Sequence, residues 1–468
     1  MKRIVSLILV ALMALMLVPA ISVAAAGTAK TDAVVFLNGA TGADTNDGKT
    51  PDTAVATFNK AIEVANTYGD VPAVTIVVAG PTAIGEESNN ITADSTHPIV
   101  LTSYYDGVDY RTNGAALSTS ASKTVSVYFF NADYTFDYIT FKAMNTNAIF
   151  AMQYNNLIVT ENCNVVGIEG KEDVSTSYPI LLLGNNKSTD KAAGDPTVTK
   201  DVVVTVNGGT WQYIRSGDRD CRTTFDGNMT INITGGDFRN GTATEANFNS
   251  NGNINTPSGK GNYGPNAKIV MNISGGVLDN FAISCQQTSS TLSEADITVN
   301  VYDGAVIKGM FAAIQTGNTM FFGKATMNIY GGDLSGITMA DLNNVAASNG
   351  TTLTINHDPN NAASAAAFKA LKDASLGDSD CTYGEIKVEA TTDAPVVTDA
   401  PVVTEAPATE APVVTEAPVA TDAPVVTTEA PAQPEDTPAT GDASVMVVFA
   451  AAAVLSVAAV VVIKKREN

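Results

Sequence analysis

Arginine is scarce in this chain, yet four of the five Arg between residues 27 and 390 crowd into one stretch, as Arg215, Arg219, Arg222 and Arg239. Asp218, Asp220 and Asp226 stand with them in the segment YIRSGDRDCRTTFDG. A guanidinium binds a carboxylate through two parallel hydrogen bonds, so these Arg could hold an acidic glycan if they share an outer wall. The plainer reading is an exposed loop whose charges pair with one another and contribute little. A second candidate is Asp44-Thr45-Asn46-Asp47-Gly48. Oxygen ligands at this spacing suit Ca2+, although Gly48 comes one place early for an EF-hand loop and the closing Glu is missing. We favour an Asx-rich turn here, with a structural Ca2+ held by Asp44, Asn46 and Asp47 as the alternative. No other cofactor is expected. Only two His occur, His97 and His357, which leaves little for His-based catalysis.

Composition narrows the partners. The 468 residues carry 26 Lys and Arg against 48 Asp and Glu, a net charge of −22. Phosphate binding needs net or local positive charge, so nucleic acid is not expected as a partner. Cys163, Cys221, Cys285 and Cys381 lie far apart, which excludes a disulfide-dense scaffold and a Cys-rich metal site. Cys221 and Cys285 fall in non-adjacent repeats, which argues against their pairing. The mean hydropathy of +0.09 is high for so acidic a chain. The apolar residues that cause it are concentrated at the two ends.

The elements that must position any site are repeats. Alternating apolar and polar residues run into a small pair in VVVTVNGG, MTINITGG, IVMNISGG, ITVNVYDG, ATMNIYGG and TTLTINHD. The first residue of each pair is placed at 208, 235, 275, 303, 331 and 357, giving steps of 27, 40, 28, 28 and 26. Two and four residues before the pair the side chains are aliphatic throughout. Three before it stand Thr205, Asn232, Asn272, Asn300, Asn328 and Thr354. Alternate residues of a strand face opposite sides, so the aliphatics stack inward and the Asn/Thr row faces out. That row could hydrogen-bond a polysaccharide, or form amide ladders from coil to coil, which we favour. Three residues after each first small residue comes a second apolar row of Trp211, Phe238, Leu278, Val306 and Leu334. The single Trp therefore reads as a buried ladder member before a sugar-stacking platform. His357 reads as a replacement for a corner Gly in the last repeat. A period of about 27 residues with Gly corners predicts a parallel β-solenoid of about ten to twelve coils. An antiparallel sandwich is the main rival, but it does not require equal spacing.

Outside the repeats lie four segments of other kinds. Lys2 and Arg3 precede an apolar run from Ile4 to Val18, then Pro19 and a small-residue stretch with Ala24-Ala25-Ala26, so residues 1–26 read as a secretory signal peptide. Residues 391–438 repeat an acid-Ala-Pro unit, hold nine of the 19 Pro and carry no Lys or Arg. Pro fixes φ and like charges repel, so this segment reads as an extended stalk of roughly 150 Å at most. Residues 444–463 are uncharged and long enough to cross a membrane. The basic residues of 464–468 place that tail in the cytoplasm and the body, residues 27–390, outside.

Two resemblances follow. Thr437-Pro438-Ala439-Thr440-Gly441-Asp442, then an apolar span and a basic tail, resembles the cell-wall sorting signal of Gram-positive surface proteins, with Thr437 where that family has Leu. The resemblance implies cleavage between Thr440 and Gly441 and attachment to peptidoglycan by a sortase. Pro438, Thr440 and Gly441 are its matching positions, and a plain membrane anchor is the alternative. At the other end, Gly42 to Pro51 followed by Phe58-Asn59-Lys60-Ala61-Ile62 resembles the entry motif of secreted right-handed parallel β-helix proteins of the pectate-lyase-like fold. There a loop leads into a short helix. Phe58, Ala61, Ile62 and Ala65 share one helical face here and can cover the first coil. Residues 362–374, with Phe368 and Leu371 on one face, are a candidate cap for the other end. The hydrolases of that family use Asp-Asp and Gly-His-Gly, and this chain has neither Asp-Asp nor Gly-His. Its lyases use acidic Ca2+ ligands and an Arg or Lys base, which makes Arg215, Asp218, Arg219 and Asp220 the catalytic candidates that the resemblance implies.

The expectation is thus a surface-anchored β-helix protein, a non-enzymatic adhesin-like module for a polysaccharide or host surface ligand. Its candidate binding residues are Arg215, Arg219, Arg222, Asn232, Asn272, Asn300 and Asn328. A polysaccharide lyase acting on acidic glycan and a passive surface-layer component are the alternatives.

Overall fold

The computed structural model describes residues 33–84, 94–121, 126–146, 148–185, 197–218, 223–239, 254–255, 262–284, 292–314, 320–321, 323–342, 353–378 and 381–386. The signal peptide, stalk, sorting motif, apolar span and basic tail assigned from the sequence lie outside these residues. The chain divides into two units, Met1–Ala390 and Thr391–Asn468, and every described residue belongs to the first. Among the described residues no helix is long and apolar enough to cross a membrane.

Sequence alternation becomes strand pairing in one sheet of twelve strands. Their order in the sheet is their order in the chain: Val34–Leu37, Val74–Val78, Ile99–Thr102, Tyr134–Phe136, Leu157–Val159, Val202–Val206, Asn228–Ile233, Lys268–Ile273, Asp296–Val301, Ala325–Ile329, Leu353–His357 and Cys381–Glu385. Each pairs in parallel with the next. Between two such strands the chain visits other parallel sheets. From Tyr134–Phe136 it runs through Thr140–Lys142 and Ala148–Ala151 before returning as Leu157–Val159. The architecture is all-β with long parallel sheets, as a solenoid requires and a sandwich does not. The one antiparallel pairing among the described strands is the hairpin of Tyr104–Tyr105 with Val108–Asp109. Its turn residues Asp106 and Gly107 both have positive φ, 51° and 81°, the backbone of a tight two-residue hairpin.

The core is the stack of inward side chains. Along the later strands buried residues alternate with half-buried ones, so Val202, Val204 and Val206 continue into Met229, Ile231 and Ile233 and onward. No coil can bury this face alone, so each depends on its neighbours. The upper coils add rings: Phe136 meets Phe141 at 5.0 Å, Phe141 meets Phe150 at 5.0 Å, and Phe150 meets Trp211 at 6.1 Å. Trp211 is fully buried, as its ladder position predicts.

The paired glycines have two separate reasons. The second of each pair, Gly209, Gly236, Gly276, Gly304 and Gly332, has φ between +80° and +96°, where any side chain is strained. The first is crowded where it is Gly, since a Cβ on Gly275 would lie 2.0 Å from the Thr234 carbonyl oxygen, whereas Asp303 carries its side chain at the corresponding place.

Register corrects two sequence alignments. In the last repeat Ile329 pairs with His357 and Asn328 with Asn356. His357 is therefore a strand residue and not a corner, and the Asn row continues through Asn356 rather than Thr354. The offset is 28 residues in each of the last four pairings, through Ile269, Ile297, Ala325, Leu353 and Cys381. In the second apolar row, Leu278 pairs with Ile307 and not Val306. The corner after Gly304 holds one extra residue, the buried Ala305, which shifts the row by one.

Both ends carry helices. Helix α1, Phe58–Ala65, buries Phe58, Ala61, Ile62 and Ala65, the face expected from the sequence. Helix α2, Ala362–Asp373, buries Ser364, Ala367 and Leu371. Its Phe368 stacks on the His357 ring at 3.9 Å, half-buried and not fully inward as expected. A further strand, Cys381–Glu385, then adds to the sheet beyond Leu353–His357.

Candidate functional site

The outer face of the long sheet carries three parallel rows of side chains. The middle row is an amide ladder. Asn272 Nδ2 donates to Asn232 Oδ1, Asn300 to Asn272, Asn328 to Asn300, and Asn356 to Asn328, each at 2.9 Å. Asn contributes two N–H donors and two acceptor lone pairs, so each inner amide keeps one of each outside the ladder. A second row holds Thr230, Val270, Thr298, Thr326, Thr354 and Thr382. The third row follows the strand ends as Asn207, Thr234, Ser274, Tyr302, Tyr330 and Asp358. Thr234 Oγ1 donates to Asn207 Oδ1 at 2.6 Å. Tyr302 and Tyr330 stack at 4.9 Å with their planes 5° apart, which matches the spacing of neighbouring strands. Burial pushes the Tyr302 phenol up to about 12 and raises Tyr330 as well. Both phenols therefore stay neutral at physiological pH.

The face is not open along its whole length. Towards the N-terminus the equivalent outward positions mix apolar residues with Thr75, Thr102 and Thr135, which are buried, and Val34, Phe36 and Val77 pack with Tyr105 and Tyr110. The hairpin of residues 104–109 supplies that cover. Arg111 ties it down, with its guanidinium on both Asp109 oxygens, its Nη1 on the Asn162 carbonyl at 3.1 Å, and its plane over Tyr138 at 4.8 Å. The exposed polar part of the wall is thus the stretch from Asn207 to Asp358.

At Arg215 and Asp218 the arginine segment is neither the exposed loop that is the plainer reading of the sequence nor an open outer patch. Arg215 is only 5% exposed and lies over the Tyr213 ring at 4.4 Å. Its row partners are Ala151 and Leu182, on the sheet face opposite Phe150, Leu181 and Ile214. Asp218 is fully buried. Its carboxylate accepts from Tyr154 Oη, the Asn185 backbone N–H and the Thr223 backbone N–H, each at 2.8 Å. Desolvation raises its pKa against these hydrogen bonds. Arg215 thus stands on the outer face of its strand yet is covered, and Asp218 is buried, so neither is exposed to a polymeric substrate, and the reading of this segment as an exposed charged loop is corrected at these two residues. Arg239 stands apart, paired with Asp237 at 2.6 Å and lying over Tyr178 at 5.2 Å. Asp226 accepts from the Asn266 backbone and side chain at 2.9 Å. Arg219, Asp220, Cys221 and Arg222 lie outside the described residues, as does Cys285.

The acidic loop near the N-terminus is occupied by its own backbone. Asp44 Oδ1 accepts from the Ala56 and Thr57 N–H groups, and its Oδ2 from Thr57 Oγ1. Asn46 Nδ2 donates to the Ala54 carbonyl at 2.9 Å. Asp47 accepts from the Lys49 N–H and Thr53 Oγ1, which lower its pKa. These contacts position the entry to α1, whose N-cap Thr57 accepts from Lys60 N–H. Among the described residues no three His, Cys, Asp or Glu side chains gather where they could hold a metal ion. His97 finds the Tyr68 carbonyl at 3.2 Å.

Sequence reasoning reached Asn232, Asn272, Asn300 and Asn328 but passed over Asn356, Tyr302 and Tyr330. The signal for the tyrosines is present as Thr298-Val299-Asn300-Val301-Tyr302 and, 28 residues on, Thr326-Met327-Asn328-Ile329-Tyr330. No family model, curated protein or solved structure matches this chain.

Proposed function

We propose that the protein is a non-enzymatic, surface-anchored binding module whose ligand is a glycan. Its body is a right-handed parallel β-helix, the hand that parallel crossover connections nearly always take. The observation that carries the reading is the outer wall from Asn207 to Asp358. A surface of amides and hydroxyls repeated along the coils, with aromatic rings at Tyr302 and Tyr330, suits a polymer with its own repeat. The signal peptide, the acidic stalk, and the Pro438, Thr440 and Gly441 motif before an apolar span support export and attachment. The anchor is peptidoglycan through a sortase, with the membrane helix as the other route. Burial of Arg215 and Asp218 weighs against a lyase, which needs its base beside the substrate. A structural Ca2+ at Asp44, Asn46 and Asp47 is not part of the proposal.

A saccharide panel presented to the secreted protein tests the function. Binding without turnover, weakened by the paired change Asn272→Ala and Asn300→Ala, is expected. An unsaturated uronate product absorbing in the ultraviolet would overturn the non-enzymatic reading, and no saccharide binding at all would favour a passive surface-layer component. Anchoring has its own test. A wall-linked form that disappears with Thr440→Ala is expected, and recovery of only full-length, detergent-extractable protein would reject the sortase route.

A further inference from the structure

We infer that the face of Tyr302 turned towards Ser274 is a stacking site for a neutral pyranose ring, at the end of a shelf formed by Asn207, Thr234 and Ser274. The inference rests on the glycan reading of the wall and adds where the sugar sits and which sugars fit. Register gives the geometry. Tyr302 N–H donates to the Ile273 carbonyl, Ser274 N–H to the Ile233 carbonyl and Thr234 N–H to the Val206 carbonyl. The four side chains therefore stand one above another, one coil apart. One face of the Tyr302 ring is taken by Tyr330, stacked in parallel at 4.9 Å. The other looks along the row to Ser274, which is small and exposed, then to Thr234, also exposed. Among the described residues no other ring lies on Tyr302. A sugar stacked there lies parallel to the Tyr302 plane, and a glycan chain extends within that plane, so it crosses the row at Ser274, one strand spacing of about 4.8 Å from Tyr302, instead of running along it.

The chemistry selects the ligand. A pyranose presents an axial C–H face that packs on an aromatic ring, and hydroxyls at its rim that need donors and acceptors. Asn272 and Asn300 flank the shelf in the next row, each with an N–H and a lone pair that the ladder leaves over. Charge decides between neutral and acidic sugars. Asp303 follows Tyr302 and is exposed, and Asp358 continues the row beyond Tyr330. Tyr302 itself stays un-ionised, its phenol held at about 12. No cation stands in the row, so a carboxylated glycan meets repulsion with nothing to offset it.

The test uses the secreted protein with two probes, cellohexaose and hexagalacturonate, titrated by calorimetry. Cellohexaose is expected to bind and hexagalacturonate to bind more weakly. Tyr302→Ala is expected to weaken cellohexaose binding about tenfold, whereas Tyr302→Phe keeps the ring and stays close to wild type. Ser274→Tyr extends the existing stack over the vacant face and is expected to abolish binding while leaving the melting temperature unchanged or raised. Wild-type affinity in both Tyr302→Ala and Ser274→Tyr would overturn the shelf while the glycan reading survives. Tighter binding of hexagalacturonate would overturn the choice of a neutral sugar. Binding of neither probe would overturn the shelf, and silence across the wider saccharide panel would overturn the glycan reading as well.

Discussion

Asp218 shows what a single residue costs and contributes inside a stack of parallel sheets. Its buried carboxylate is the shared acceptor for Tyr154, Asn185 and Thr223, which come from three different parts of the chain. Asp218→Ala leaves those donors without their acceptor, and a destabilisation of about 3 kcal/mol is expected in urea unfolding. Asp218→Asn keeps the shape and isolates the charge. Burial raises the folded-state pKa above the ordinary 3.8. Between the unfolded and folded values the folded protein holds the proton more firmly than the unfolded chain does. Stability therefore falls as pH rises through that window. Urea midpoints compared across the window should show this loss in wild type and not in Asp218→Asn; parallel profiles would sink the assignment. Little of this was legible beforehand. The segment around Asp218 reads as a charged loop, because Tyr154 lies 64 residues away and only folding brings it near. The Asn ladder was legible, since its residues recur at the coil period and face one way. Their outward face follows from alternation alone, and their mutual hydrogen bonds follow from the spacing of strands.

At the scale of elements, the caps decide whether the coils persist. An uncovered first coil would expose both apolar side chains and a strand edge. Helix α1 closes it with a face that could be read directly from Phe58, Ala61, Ile62 and Ala65. Phe58 also meets Phe130 edge-on at 6.4 Å, linking the cap to the ring stack. Phe58→Ala is expected to cost about 3–4 kcal/mol through the cavity it leaves, measured by denaturant unfolding. Ile62→Asp should do more, because it places an unpaired charge there. An effect no larger than that of an exposed helix position would mean that α1 is a decoration and not a cap. The far end was harder to read. His357 looked like a failed corner because the apolar alternation of TTLTINHD can be matched to the earlier repeats two residues out of phase. Strand pairing removes the ambiguity, and His357 turns out to carry the stacking partner of Phe368. The extra Ala305 has the same lesson. Motif alignment assumes equal corners, whereas hydrogen bonding fixes register strand by strand.

For the whole molecule, the regularity of the pairing offset makes a sharper claim than the fold class does. If coils touch only their neighbours, one coil can be taken out without harming the rest. Residues 297–324 are such a unit, because Ile297 and Ala325 occupy equivalent positions in adjacent strands. Removing them joins Asp296 to Ala325 and lets Ala325 face Ile269, in the place Ile297 held. The shortened protein is expected to fold, to keep its β-sheet circular dichroism and to melt cooperatively at a somewhat lower temperature. Removing residues 297–310 is expected to behave very differently. That cut deletes half a turn and leaves the chain on the wrong side of the coil, so the strands that follow lose their partners and the core row its alignment. The comparison therefore separates a solenoid from any closed fold. In a sandwich or barrel each strand has a unique place, and both deletions would be equally destructive. The coil deletion also bears on the wall, since it takes out Asn300 and Tyr302 and brings Tyr330 next to Ser274. The vacant ring face is rebuilt one coil shorter, on the same shelf of Asn207, Thr234 and Ser274. Cellohexaose binding should then survive in the 297–324 deletion and be lost again when Tyr330→Ala is added to it.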